Sequence, residues 1–83
     1  MTDIRETAAS YLILVEGGPP SNYSAWSPDL PGCAGVGATI EECVADMRAA
    51  IAFHLEGMAA DGDPIPTGTG PGVYVAQRPQ AAA

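Results

Sequence analysis

The stretch from Thr39 to Gly62 limits what this chain can become more than any other. Thr39 and Glu42 form a T-x-x-E pattern. The threonine hydroxyl can accept from the Glu42 amide while the Glu42 carboxylate reaches back to the Thr39 amide, the reciprocal arrangement that starts a helix. Ile40, Cys43, Val44, Met47, Ile51, Leu55 and Met58 then recur at intervals of three and four residues, which puts them on one apolar stripe. Glu41, Asp46, Arg48 and Glu56 fall on or beside the other face. Asp61-Gly62 followed by Pro64 supplies the stop, so the pattern predicts one amphipathic helix of roughly 20 residues, about 30 Å long. A helix with one apolar stripe needs a second layer to bury it.

That layer has to come from short strands. Tyr11 to Glu16, YLILVE, is a β-branched and aromatic run of strand length, and the turn formers of GGPPSN end it near Glu16. Tyr23 to Ser27 alternates larger and smaller side chains up to Pro28 and reads as a second strand, paired to the first as a hairpin. Pro28 and Pro31 cannot donate ladder hydrogen bonds, so PDLPG is a turn or wide loop. Cys33 to Gly37 reads as a short third strand, with Gly32, Gly35 and Gly37 letting the backbone turn back towards the helix. After the helix, Thr67 to Gly72 reads as a flexible connector and Val73 to Gln77 as a last strand. The expected fold is α+β, in the order β-β-β-α-β, as a single domain over 1–83 with flexible ends at 1–10 and 78–83.

Eighty-three residues hold one hydrophobic core. At 47% hydrophobic and 16% charged the chain is too apolar for a disordered segment, yet no apolar run reaches the ~20 residues of a membrane span. No secretory signal pattern opens it, so a soluble protein of the reducing cytoplasm is expected. The net charge of −7, with three arginines and no lysine, disfavours a phosphate backbone and suits a basic protein partner.

Catalytic constellations do not assemble from these residues. Glu41 and Glu42 are adjacent, hence about 100° apart around a helix, and serve better as cap and dipole complement than as a metal clamp. His54, the single histidine, has no identifiable partner and reads as a half-buried packing or hydrogen-bonding residue. Cys33 and Cys43 form neither a CxxC pair nor part of a zinc set; they read as buried free thiols, without a disulfide. Gly35-Val36-Gly37 ahead of the helix lacks the third glycine and the lysine of a phosphate-binding loop. No catalytic residue, metal or cofactor is expected.

In strand one Tyr11, Ile13 and Val15 face one side and Leu12 and Leu14 the other, so both faces are apolar. One helix covers one face. The other must meet the N-terminal segment, another copy of the chain or a partner, and a homodimer or higher homo-oligomer is the simplest solution.

The run from Tyr23 to Pro66 resembles the HicB antitoxin family. The resemblance lies in the Tyr-x-Ala strand at Tyr23, the Pro28-Asp29-Leu30-Pro31-Gly32-Cys33 loop, and the helix start Gly37-x-Thr39-x-Glu41-Glu42. It continues through the Phe53-His54-Leu55-Glu56-Gly57 segment to the Gly62-x-x-Ile65-Pro66 ending. It implies a partial ribonuclease H-like fold, with a small, mostly antiparallel sheet on one long helix and no nuclease activity. It also implies neutralisation, by direct binding, of HicA, a small messenger-RNA-cleaving ribonuclease with a double-stranded-RNA-binding-like fold. Many members of that family carry a C-terminal DNA-binding domain. Here the sequence stops soon after Gln77, so no direct nucleic-acid binding is expected. A residual ribonuclease H-like hydrolase and a small-molecule-sensing oligomeric domain stay open as alternatives.

Overall fold

The computed structural model describes residues 10–76, and the expectation of flexible ends falls, but for Ser10, outside them. Along the chain come β1 (Leu12–Gly17), β2 (Tyr23–Trp26), β3 (Ala34–Gly37), a long helix α1 (Ile40–Asp61) and β4 (Gly72–Val75). The order is the one the sequence pattern predicts. The strands form one mixed sheet in the order β3-β2-β1-β4. β1 with β2 and β2 with β3 are antiparallel, whereas β4 runs parallel to β1. The parallel pair follows from the connection: the chain leaves the sheet at β3, crosses one face as α1 and returns beside β1 on the far side.

The core lies between α1 and one face of the sheet. Cys43, Met47, Ile51 and Leu55, one side chain per helical turn, meet Tyr11, Ile13 and Val15, every second residue of the first strand segment. Ala25, Leu30 and Cys33 complete the cluster, with Tyr23, Val44 and Met58 packed at its margin. Burying a side chain the size of Ile13 or Leu55 contributes roughly 1.5–3 kcal/mol.

α1 approaches β3 very closely. A Cβ placed on Gly37 would lie 2.4 Å from the Cys43 backbone nitrogen, and one on Gly35 would lie 2.6 Å from that of Met47. The third strand is glycine-rich for this reason, and not, as its sequence suggests, to let the backbone turn: neither residue has a positive φ.

The ends of α1 are locally determined. Thr39 Oγ1 accepts the Glu42 amide at 3.1 Å. The Glu42 carboxylate, however, accepts the amide of Ala38, at 3.2 Å, and not that of Thr39 as the capping pattern predicts. Ala38 follows the last residue of β3, and its amide has left the ladder and needs an acceptor. At the other end Gly62 adopts the left-handed conformation, φ 75°, its amide bonds back to Ala59 and the Asp63 amide reaches the Met58 carbonyl at 2.8 Å.

Candidate protein-interaction surface

The strand registers align Ala34, Trp26, Leu14 and Tyr74 in one row across all four strands, on the face opposite α1. Leu12 lies two residues from Leu14 on the same face, and Val36 stands opposite Ser24, which in turn faces Glu16. The helix therefore takes the Tyr11, Ile13 and Val15 side of the first strand, and the Leu12 and Leu14 side stays open. Trp26 is 46% exposed, Val36 53% and Tyr74 65%. Among the described residues no element lies over this row, whose one charged neighbour on the face is Glu16. A wide, preorganised apolar surface with a central tryptophan is chemistry for gripping another protein.

Asp29 ties together three segments beside the sheet. Its Oδ2 accepts the Leu12 amide and the Thr69 amide, each at 3.1 Å, and its Oδ1 accepts the Thr69 hydroxyl. The loop that carries it is held by Leu30 N–H to Ser27 C=O at 3.4 Å and by Asp29 N–H to Ser27 Oγ at 3.2 Å. Bonding by the Thr69 hydroxyl and then the Thr69 amide lowers the Asp29 pKa below its ordinary 3.8. Beside it Tyr11 donates its hydroxyl to the Pro66 carbonyl; burial, and secondarily the Asp29 charge, raises the tyrosine pKa. The Gly70 amide reaches the Ser10 carbonyl at 2.9 Å. The Thr67 to Gly72 segment, expected as a flexible connector, is thus tied at both Asp29 and Ser10. Those bonds set β4 against β1, and they join residues too far apart in sequence for any spacing rule to reveal.

The remaining motif residues have structural positions. Pro28, Pro31 and Gly32 occupy the exposed loop between β2 and β3, and Gly32 has φ 97°. Tyr23 flanks the core, Gly37 lies under α1, Thr39 and Glu42 cap it, Gly62 ends it, and Pro66 receives Tyr11. His54 is exposed, correcting the half-buried reading: Leu55 takes the inward position, and the residue before it is turned about 100° away. Phe53, at 79% exposure, shares that outward side of the helix.

Cys33 and Cys43 are buried and unbridged. Burial raises both thiols, and Asp46 adds to the effect at Cys43, so neither has the thiolate character of a nucleophile. Among the described residues no group of three or more histidine, cysteine, aspartate or glutamate side chains could hold a metal ion. No helix among them is long and apolar enough to cross a membrane.

These features define a small α+β domain that carries one long helix on one face of a mixed sheet and presents an apolar row on the other. Residues 11–80 match the model of the HicB-like antitoxin of bacterial toxin–antitoxin systems, and the chain belongs to that family. It is 32% identical to a UPF0150 protein of Synechocystis over 66 residues, covering 80% of this chain and 84% of that one. It is also 41% identical over 44 residues to an uncharacterised 14.9 kDa protein from the rep-hol intergenic region of Haemophilus phage HP1. That match covers 53% of this chain and 33% of the phage protein, so it spans about a third of that relative. No solved structure gives a significant match.

Proposed function

We propose that this chain is a cytoplasmic antitoxin that neutralises a small, basic, HicA-type messenger-RNA-cleaving toxin by direct binding, and that it works as a homo-oligomer. The open row Ala34, Trp26, Leu14 and Tyr74 carries the reading, because it offers a partner a preformed apolar surface. The net charge of −7 speeds the approach of a basic protein and opposes competition from RNA. Trp26, half-exposed near the middle of the row, is the anchor expected to dominate the contact.

Co-expression with a HicA-type toxin tests the reading. Growth should be restored by the wild-type chain. Trp26→Ala should lose rescue and toxin pull-down while keeping its circular dichroism. A wild-type chain that neither binds nor silences such toxins would overturn the proposal. Turnover of RNA by the purified chain with magnesium or manganese would favour the hydrolase reading instead.

A further inference from the structure

The two edges of the sheet differ. At β3 the outer edge is engaged by α1: the Val36 amide donates to the Asp46 carboxylate at 2.9 Å, and the helix lies close against Gly35 and Gly37. At β4 it is open. The Ala76 amide donates to the Val15 carbonyl at 2.8 Å, so alternation turns Tyr74 towards β1 and leaves the backbone N–H and C=O groups of Val73 and Val75 pointing outwards. All four residues of β4 are exposed, including Val73 at 40%, since α1 packs chiefly against β1, β2 and β3. None of the usual protections of an edge strand, such as a charge, a proline or a bulge within the strand, is present from Gly72 to Val75.

We propose that β4 is the site of self-association, pairing antiparallel with β4 of a second copy about a two-fold axis through Tyr74. This rests on the homo-oligomeric reading above and is independent of the toxin. The charge pattern selects a second copy as the occupant. The stretch from Pro64 to Ala76 contains no charged residue in a chain of net charge −7, so two copies can meet there without opposing like charges. Geometry fixes the register. Only Val73 and Val75 offer outward groups, and matching Val73 to Val75 of the other copy, and the reverse, satisfies them with about four hydrogen bonds. The two Tyr74 side chains then form the closely spaced, non-hydrogen-bonded pair at the axis, on the face that also bears Trp26 and Leu14. Pairing of β4 with β4 about a two-fold axis uses up the same edge of both copies, so it stops at two and does not run on into a filament.

Sedimentation or light scattering of the chain alone should give twice the 8.4 kDa chain mass. Val75→Pro removes an outward donor that the β1 ladder does not use, so this variant should sediment at the single-chain mass with unchanged circular dichroism. Tyr74→Cys should cross-link to itself on mild oxidation, whereas Ser24→Cys, on the same face but two strands away, should not; the buried native thiols of Cys33 and Cys43 stay silent. Should Val75→Pro fail to fold, the cysteine pair decides. A monomeric wild type would overturn both this proposal and the homo-oligomeric reading. A dimer that survives Val75→Pro, or in which Tyr74→Cys does not cross-link, would overturn the β4 pairing alone; dissociation by Trp26→Glu would then mark the open face as the interface.

Discussion

Asp29 holds Thr69 through two hydrogen bonds across a separation of 40 residues, one from the threonine amide and one from its hydroxyl. With the Leu12 amide as a third donor, one carboxylate fastens the loop after β2, the start of β1 and the approach to β4. It is the point at which the motif loop and the β1–β4 pairing depend on each other.

This cluster makes acid stability the first expectation. The Asp29 carboxyl titrates below its ordinary 3.8 in the folded chain. Its contribution is therefore complete above that value and is lost as pH falls through the lowered folded value. Urea unfolding of the wild type and Asp29→Ala should differ most near neutrality and converge in strong acid, the variant losing the lower part of its acid limb. A difference independent of pH would show that the ionised carboxylate is not what matters.

The glycines under the helix give an opposed pair. Gly37→Ala drives a Cβ to 2.4 Å from the Cys43 backbone, which cannot yield as a side-chain tip would, so a loss of about 1–3 kcal/mol is expected. Gly57→Ala, on exposed helix with nothing within 4 Å of its Cβ, should gain roughly 0.5–1 kcal/mol. Thermal or chemical unfolding of both variants checks the opposite signs.

Adjacent residues of β1 should answer charge differently. Ile13, 2% exposed, is buried in the same core cluster as Met47 and Ile51, so Ile13→Glu buries an unpaired carboxylate at a cost of several kcal/mol and should unfold the chain. Leu14 faces the open row, so Leu14→Glu should keep native helix content while weakening binding at that surface. Circular dichroism separates the two, and two unfolded variants would mean that the open face is packed by the chain itself.

At the helix start, Thr39→Ala should cost about 1 kcal/mol, because its hydroxyl satisfies the Glu42 amide. Glu41→Ala should cost less, as its exposed carboxylate supplies only its charge near the helix N-terminus. Urea titrations that rank the two equally would argue against the Thr39 cap.

What could be read in the residues was what depends on neighbours in sequence. The spacing of Cys43, Met47, Ile51 and Leu55 marked the helix and its buried stripe, Thr39 and Gly62 marked its ends, and the turn residues after Glu16 separated two strands. Each of these is a matter of backbone period or local hydrogen bonding, which a few adjacent residues determine. The motif loop from Pro28 to Cys33 carried the family resemblance in the same way, though not the reason for Asp29. Tertiary structure decided which apolar face of β1 the helix covers, since Ile13 and Leu14 are equally fit to be buried and only the path of the chain over the sheet chooses between them. It also made β4 parallel to β1, tied Thr69 to Asp29, and engaged one sheet edge with Asp46 while leaving Val73 and Val75 open at the other. These outcomes bring together residues far apart in the chain, and their energies exist only once the helix has crossed the sheet and the backbones of β3 and α1 are in contact.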